Sequence, residues 1–576
     1  MKFRRSPVLA PTFPPWRVRL VIALAAIAVG VLAGRAVYLQ GWNRDFLQAK
    51  GESRYSRTLE IPAVRGRIFD RNGEALAVST PVKSIWAIPE DAAVAGRDLD
   101  RLGAALGMPR EELRAKLADT GRDFVYLKRQ VPPEAAERVA ALRLPGVHQS
   151  KEYRRYYPAG EAMAHVLGFT DVDDVGREGI ELAYQEHLAG RAGSRRVIKD
   201  RLGEVVEDSV SLRQAKDGRD LVLALDSRIQ NLAYGELRRA VESHRAKGGG
   251  IIVLDAGTGE VLALANLPSY NPNNRAQLAG AGVRNRAVTD AFEPGSTLKP
   301  FTIALALDTG RVAAATTIAV APGSLTIGPA VIRDAHPEKA LTVEQVIQKS
   351  SNVGAAKIAL ELPRESMWGL FDDVGFGAAP QLGLPGEAIG KLRPYKTWRP
   401  VEQATMSYGH GISVSLVQLA RAYTVFARDG DLVPLSLVKV DVPPPGRPVF
   451  SKRTADTVRR MLELAAQPGG TAPRARIMGY RVAGKTGTAH KQANGAYVAD
   501  KYRSSFVGFA PASRPRLVIA VMLDEPSAGQ HYGGVVAAPV FANVMAGALR
   551  ILGVAPDGPM QPIEAAPPAL EVRESV

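Results

Sequence analysis

Ser296 and Lys299 are the two residues whose types and spacing point most directly to covalent chemistry. They begin an apolar run that stops at Gly310, so we expect a buried helix whose entrance is Gly295 and Ser296. Residues three apart share one helix face, which brings the Lys299 amine within reach of the Ser296 hydroxyl. A serine hydroxyl is a weak nucleophile at neutral pH, and a desolvated lysine can take its proton. The pair predicts a serine nucleophile with a lysine base.

A single S-x-x-K match is weak evidence, because a helix cap followed by a surface lysine gives the same pattern. Ser436 and Lys439 also match it. That second copy lies in an alternating, strand-like segment, where the two side chains would face opposite sides. Further motifs in a fixed order are needed to choose between the copies.

The second motif is Ser350-Ser351-Asn352, which directly precedes another helical stretch. A simple helix N-cap is the alternative interpretation. Ser269-Tyr270-Asn271 shows that an S-x-N match also arises by chance. Only the order of the motifs along the chain favours the copy at Ser350.

The third motif is Lys485-Thr486-Gly487-Thr488, after a strand-like segment. On a strand, Thr486 and Thr488 would share one face and could bind a carboxylate, while Gly487 would leave room for substrate. The backbone amides of Thr488 and Ser296 could form an oxyanion hole.

The third motif also satisfies the phosphate-loop pattern G-x-x-x-x-G-K-[ST], starting at Gly479. A phosphate loop should open a helix, but a polar loop follows Thr488 instead. We therefore favour the strand interpretation of this segment.

Composition narrows the function classes. The chain has 576 residues, enough for two or three domains, and a formal net charge of +16. We expect no nucleic-acid binding, because no zinc-finger or RNA-binding signature accompanies the charge. Cysteine is absent, which excludes disulfides and a thiol nucleophile. The eight histidines form no cluster and no HExxH motif, so we expect no metal and no organic cofactor.

The N-terminal segment predicts a membrane anchor. Residues 1–19 contain lysine and arginine but no acid, and the run 20–34 is uncharged. If Arg35 reaches the interface, residues 20–40 are long enough to span a bilayer. The basic flank places residues 1–19 in the cytoplasm and the rest of the chain outside it. A cleaved signal peptide is the alternative.

The rest of the chain divides into three parts. Residues 41–220 are charged and mixed, and the Asn72-Gly73 pair predicts a tight hairpin between two short strands. Residues 221–552 begin with a helix and the β-branched run 250–254, which predicts a buried strand. Residues 553–576 are rich in proline, alanine and glutamate, which predicts a disordered tail.

The ordered triplet resembles that of penicillin-binding proteins and serine β-lactamases. Ser351 stands where class A β-lactamases have aspartate, which points away from that class. Outside the triplet, residues 65–73 and 155–160 resemble the non-catalytic pedestal of class B penicillin-binding proteins. Several further segments resemble the division-specific, FtsI-type branch: Phe292–Ser296, Lys349–Asn352, Asp524–Pro526 and Tyr532–Gly534.

This resemblance implies an α+β multidomain protein. An N-terminal transmembrane helix would precede a mixed α/β pedestal, or dimerisation-type, domain and a C-terminal transpeptidase domain. The last would be β-lactamase-like, an antiparallel sheet with helices on both faces. His410 matches no catalytic residue of the family, so we expect a structural role for it.

The resemblance also implies the activity, a peptidoglycan D,D-transpeptidase of the septal cell wall that β-lactams inhibit covalently. Ser296 would attack a D-Ala-D-Ala bond with Lys299 as base. The residues expected to support catalysis are Ser350, Asn352 and Lys485. Those expected to bind the substrate are Thr486, Gly487 and Thr488, of which the two threonines would bind its terminal carboxylate.

The expected partners are peptidoglycan stem peptides, β-lactams, the cytoplasmic membrane, a membrane glycosyltransferase and other division proteins. The anchor would lie in the inner membrane and the catalytic domain in the periplasm. Three alternatives remain: an elongation-specific class B transpeptidase, a β-lactamase or carboxypeptidase that uses water as acceptor, and a non-catalytic septal scaffold.

Overall fold

The computed structural model describes residues 14–44, 56–92, 94, 96–122, 124–199, 205–493 and 496–560. Most of the expected cytoplasmic segment and residues 561–576 of the expected tail lie outside these residues. The strands are β1 (Ser56–Ile61), β2 (Ile68–Phe69), β3 (Ala75–Ala87), β4 (Val125–Val131), β5 (Val147–Tyr156), β6 (Gly193–Lys199), β7 (Val205–Arg213), β8 (Leu221–Val222), β9 (Gly248–Asp255), β10 (Val261–Leu267), β11 (Thr317–Ala319), β12 (Ser324–Ile327), β13 (Ala330–Arg333), β14 (Ala340–Thr342), β15 (Asp431–Leu432), β16 (Arg447–Pro448), β17 (Ala483–Ala493), β18 (Ala496–Ala510) and β19 (Leu517–Asp524).

The α-helices of the same residues are α1 (Pro15–Val37), α2 (Arg97–Leu106), α3 (Arg110–Leu117), α4 (Pro133–Ala141), α5 (Ala164–Leu167), α6 (Gly179–Ala183), α7 (Gln185–Leu188), α8 (Ser227–Ser243), α9 (Arg286–Thr289), α10 (Lys299–Asp308), α11 (Val343–Lys349), α12 (Asn352–Leu360), α13 (Arg364–Asp373), α14 (Pro400–Met406), α15 (Leu416–Ala427), α16 (Lys452–Ala466), α17 (Gly533–Val536) and α18 (Ala538–Ile551). Short 3₁₀ turns and one π-helical turn, Tyr38–Trp42, connect some of them.

Helix α1 is the apolar N-terminal segment. Together with the π-helical turn it forms the stretch Pro15–Gly41, which is long and apolar enough to cross a membrane and is not buried against the protein. A second stretch, Gly533–Ile551, passes the same length and composition test, but most of it is buried. The second stretch is therefore a core helix, and the N-terminal one fits a single membrane anchor.

The contacts divide the chain into two units, and the smaller consists of residues 1–63, 84–150 and 191–216. It contains an antiparallel sheet in the order β1-β6-β7. Helix α2 presents Leu99, Leu102 and Leu106 to one core, the three-to-four spacing of an amphipathic helix.

The larger unit consists of residues 64–83, 151–190 and 217–576. Parts of the expected 41–220 domain therefore pack with the C-terminal residues, so the contacts do not divide at residue 220. The hairpin predicted at Asn72-Gly73 is present: β2 and β3 pair antiparallel, with Ile68 opposite Ala77. Strand β8 pairs in parallel with β2.

The central sheet of the larger unit is antiparallel throughout, in the order β10-β9-β19-β18-β17. Strand β9 is buried on both faces, which explains its continuous apolar run. Ile251 and Val253 pack into the core that contains Phe541 of α18, whereas Ile252 and Leu254 pack into the core that contains Phe301 of α10. Helices thus cover both faces of the sheet, as the sequence predicted.

Residues 553–560, at the start of the expected disordered tail, are among the described residues, and Asp557 makes long-range contacts. The Asp557 carboxylate accepts hydrogen bonds from the Arg481 backbone N–H at 2.8 Å and from the Ser513 hydroxyl at 2.7 Å. Composition alone does not reveal such long-range partners.

A buried ion cluster connects the first two segments of the larger unit. Glu181 is fully buried, and its carboxylate accepts hydrogen bonds from Arg65 Nε at 2.6 Å and Arg155 Nε at 2.7 Å. Arg65 Nη2 also donates to the Glu181 carbonyl at 2.8 Å. Both arginine side chains are at most 2% exposed, so neither can exchange its partner for water.

We predict that Glu181→Ala lowers the stability of the larger unit by about 3–5 kcal/mol, because it leaves two buried guanidinium groups without their carboxylate. Chemical denaturation of the detergent-solubilised protein measures the change. Glu186→Ala is the control, since Glu186 is exposed, and it should change stability by less than about 0.5 kcal/mol. Equal effects of the two substitutions would contradict the prediction.

Candidate active site

The expected nucleophile, Ser296, lies in a tight turn rather than in a regular helix. Residues Gly295–Leu298 form a 3₁₀ turn, and α10 begins only at Lys299. The helix expected to start at Gly295 and Ser296 therefore starts later. Pro300 in the first turn of α10 fits this start, because its missing N–H would have no helical partner there.

Ser296 and Lys299 form the predicted pair. Ser296 Oγ lies 2.9 Å from Lys299 Nζ, and the lysine is fully buried. The Tyr423 hydroxyl of α15 donates to the Thr297 carbonyl at 2.7 Å, which fixes the turn from behind. Ser296 itself is 5% exposed, so it is buried at the wall of a cleft that it helps to line.

Ser350 meets the same lysine. It ends α11 with a left-handed backbone, φ 61°, which is uncommon for a residue other than glycine. Lys299 Nζ lies 3.0 Å from Ser350 Oγ and donates to its carbonyl at 2.5 Å. Ser351 is the N-cap of α12, so the cap interpretation is right for Ser351 and leaves Ser350 beside the lysine.

Asp334 holds the second motif in place, and sequence reasoning missed it. Its carboxylate accepts from Ser351 Oγ at 2.6 Å and from the Val353 backbone N–H at 2.9 Å. Asn352 Nδ2 donates to the Arg333 carbonyl at 3.1 Å. Nothing in the sequence marks Asp334, because it directly follows the hairpin β12–β13, whereas its partners lie at the start of α12.

The third motif lies on β17, as predicted. Lys485 is fully buried, and its Nζ lies 2.9 Å from Ser350 Oγ. Thr486 Oγ1 lies 3.0 Å from Thr471 Oγ1, and Thr488 Oγ1 accepts from the Gly533 N–H at 3.2 Å. No helix opens after Lys485, so the phosphate-loop alternative is wrong.

Gly487 allows β17 to approach the nucleophile turn. A Cβ at this position would lie 2.7 Å from the Pro294 carbonyl oxygen and 2.5 Å from Ser505 Oγ. The sequence predicted that this space would admit substrate. The structure shows that the turn carrying Ser296 uses it.

A cleft of about 580 Å³ opens in front of these residues, and Ser296, Asn352 and Thr488 line it. His410, which we expected to be structural, also lies in its wall. Burial is the main cause that lowers the pKa of His410 to about 4. His410 is therefore neutral at pH 7.

The second S-x-x-K copy forms no such pair. Ser436 Oγ donates to the Val438 carbonyl at 2.6 Å, whereas Lys439 Nζ donates to the Arg71 carbonyl at 3.1 Å. The expected strand around Ser436 is reduced to isolated bridges. The structure thus brings Ser296, Lys299, Ser350 and Lys485 into one cluster. Asn352 and Thr488 line the adjoining cleft. Thr486 and Gly487 lie on β17, between Lys485 and Thr488.

Comparison with known proteins agrees with this arrangement. Residues 249–546 match the penicillin binding protein transpeptidase domain, and residues 60–223 match the penicillin-binding protein dimerisation domain. The probable peptidoglycan D,D-transpeptidase PenA of Neisseria gonorrhoeae is 44% identical over 561 residues, 97% of this chain and 96% of that protein. The peptidoglycan D,D-transpeptidase FtsI of Escherichia coli K12 is 42% identical over 551 residues, 95% and 93% of the two chains.

A solved structure covers the C-terminal part. The transpeptidase domain of Burkholderia pseudomallei penicillin-binding protein 3 is 50% identical, with a TM-score of 0.55, over 58% of this chain and 98% of that one. Both domain families match in order, and the full-length relatives extend across nearly the whole chain. The chain therefore belongs to the penicillin-binding protein transpeptidase family, as a class B member of the division type.

Proposed function

We propose that this chain cross-links peptidoglycan as a serine D,D-transpeptidase, with Ser296 as its nucleophile. The observation that carries the proposal is the contact of 2.9 Å between Ser296 Oγ and the buried amine of Lys299. A serine needs a base within hydrogen-bond reach to attack a carbonyl carbon. Lys299 is the residue that occupies this position.

The acylation step depends on this contact. Lys299 takes the Ser296 proton as Oγ attacks the carbonyl between two terminal D-alanines of a stem peptide. The second amine, Lys485, lies within hydrogen-bond reach of the same Ser350 hydroxyl as Lys299. Two cations so close disfavour each other, which favours a neutral Lys299 that can accept a proton.

Ser350 relays that proton to the departing D-alanine. Its hydroxyl is 3.0 Å from Lys299 Nζ and 2.9 Å from Lys485 Nζ, so it lies between the two amines. A hydroxyl can donate and accept at the same time, which a relay requires. Asn352 holds the peptide at the rim of the cleft, where its side chain lies beside the Arg333 carbonyl.

Strand β17 binds the other end of the substrate. Thr486 and Thr488 bind the terminal carboxylate, Gly487 keeps the strand close to the nucleophile turn, and the amides of Ser296 and Thr488 stabilise the oxyanion. An amine from a neighbouring stem peptide then attacks the acyl-enzyme and completes the cross-link. A β-lactam resembles the D-Ala-D-Ala end and leaves an ester on Ser296 that hydrolyses slowly.

Helix α1 and the dimerisation domain bear on location and partners. We infer that α1 anchors the chain in the inner membrane with residues 1–19 in the cytoplasm, and that the catalytic unit lies in the periplasm at the septum. The matched dimerisation domain favours protein partners.

A transpeptidase cross-links glycan strands that another enzyme must polymerise. The partners proposed for this chain are therefore a membrane glycosyltransferase and other division proteins. An elongation role and a scaffold role remain alternatives that cellular localisation and penicillin labelling distinguish.

We predict that Ser296→Ala abolishes covalent labelling by fluorescent penicillin, because the attacking oxygen is removed. Denaturing gels and peptide mass mapping measure the adduct. Ser436→Ala is the matched control, since Ser436 begins the other S-x-x-K copy, and it should label like the wild type. Labelling of the Ser296→Ala protein would refute the nucleophile assignment.

We predict that Ser350→Ala slows acylation by penicillin about 10²–10⁴-fold, the usual contribution of a positioned proton-transfer group. Labelling reactions quenched at a series of times give the rate of acylation, and thermal melting shows whether the variant is folded. Ser269→Ala, at the chance S-x-N copy, should leave the rate unchanged. A folded Ser350→Ala protein that acylates at the wild-type rate would exclude the relay.

We predict that alkaline phosphatase fused after Val576 is active in cells that express the full chain, because α1 directs export of the residues C-terminal to it. Phosphatase activity measures export, since the enzyme matures only outside the cytoplasm. The same fusion without residues 1–44 should be inactive. Activity in the shortened fusion would contradict the role of α1.

A further inference from the structure

Glu293 belongs to the nucleophile segment but has no part in the acylation chemistry described above. Its carboxylate accepts three hydrogen bonds from two other parts of the larger unit. The donors are the Gly411 N–H at 2.8 Å, Gln492 Nε2 at 3.0 Å and the Tyr497 hydroxyl at 3.0 Å. All three donors are uncharged. The carboxylate is therefore held in a fixed position without being neutralised by them.

A second carboxylate in the same cleft differs in this respect. Glu402 lies 2.6 Å from Arg399 Nη2 and 3.9 Å from Arg393 Nη1, so its charge is compensated. Among the ion pairs of the described residues, none within 4.0 Å includes Glu293, and the charge of Arg503 acts on it from beyond that distance. An ionised carboxylate offers about four acceptor positions, and three of those on Glu293 are filled. One position on Oε2 is left for a ligand that lies in the cleft.

The second half of the reaction needs such a group. Its acceptor is a primary amine, which is a cation at neutral pH and cannot attack a carbonyl until it loses a proton. The cluster behind Ser296 contains the amine of Lys485, which repels an incoming cation when it is protonated. An ammonium group entering the cleft is attracted instead to the Glu293 carboxylate, which lines the same cleft as Ser296.

We infer that Glu293 binds the ammonium group of the acceptor stem peptide and takes its proton as the amine attacks the acyl-enzyme. This inference rests on the proposed transpeptidase function and assigns the residue that receives the second substrate. It makes Glu293 a catalytic residue for the transfer step and leaves acylation to the Ser296 cluster.

The step balances in atoms and charge. The acceptor ammonium gives one proton to the Glu293 carboxylate, and the free amine forms a bond to the acyl carbon. The bond between that carbon and Ser296 Oγ breaks, and the oxygen takes a second proton from the amine nitrogen through Lys299. The third hydrogen stays on the new amide. Glu293 then releases its proton to solvent, and both side chains return to their starting states.

The surroundings of Glu293 suit this role. Burial raises its pKa above the ordinary glutamate value, and the bonds from Gly411, Tyr497 and Gln492, together with the charge of Arg503, oppose that shift only in part. A carboxylate with a raised pKa is a stronger base, closer to the pKa range in which proton transfer is efficient near neutral pH. Three hydrogen bonds also fix the oxygens, so little reorganisation is needed when the amine arrives.

The test separates the two half-reactions in the full-length protein. Fluorescent penicillin measures acylation. A thioester analogue of an acyl-D-alanine donor, with D-alanine as the amine, measures the ratio of aminolysis to hydrolysis by chromatography of the products. Glu293→Gln keeps the shape and most hydrogen bonds but removes the charge. We expect the ratio of aminolysis to hydrolysis to fall at least about tenfold in Glu293→Gln, while the rate of acylation stays within about threefold of the wild-type rate.

Two further variants complete the design. Glu402→Gln removes a compensated carboxylate from the same cleft and should leave the ratio unchanged, whereas Glu293→Asp keeps the charge and should exceed Glu293→Gln in aminolysis. An unchanged ratio in Glu293→Gln overturns the inference. A parallel loss of acylation, aminolysis and melting temperature also overturns it, because it indicates a structural role. Failure of the wild type to form a penicillin adduct would refute the proposed function itself.

Discussion

The hydroxyl of Ser350 is the point at which two buried amines meet, and the architecture of the larger unit depends on that contact. Lys299 comes from the helix behind the nucleophile and Lys485 from strand β17, and both lie within 3.0 Å of the same oxygen. Burying an amine is costly unless hydrogen-bond partners replace water. Three separate elements must therefore be held in fixed positions for the cluster to exist.

Each of the three elements is fixed by a different kind of interaction. The apolar body of α10 is buried among aromatic side chains, and β17 is held by its ladder with β18. Ser350 depends on polar contacts, because Asp334 holds the residues that follow it. Its left-handed backbone costs about 1–3 kcal/mol in an ordinary residue. The strain lies at a residue that contacts both lysines.

The sequence predicted those strands and turns that depend on a local pattern of residues. A strand buried on both faces produces a continuous apolar run, which identified β9, and the asparagine-glycine pair identified the hairpin after β2. The ordered triplet identified the four residues that meet in the cluster. The contacts of Asp334 and Glu293 could not be predicted, since their partners lie on other elements and no spacing rule connects them. The start of α10 was misplaced because a 3₁₀ turn and an α-helical turn have similar sequence patterns.

Strand β17 is the last strand of its sheet, and no described strand pairs with its outer side. An open edge is a hazard in most proteins, because any extended chain can add to it. In the proposed function the same property is useful, since a stem peptide in extended form would complete the sheet with its own backbone. An extended peptide that matches this edge would therefore compete with substrate without forming any covalent bond. Such noncovalent inhibition would follow from the position of β17 at the end of the sheet, and it would not require a reaction with Ser296.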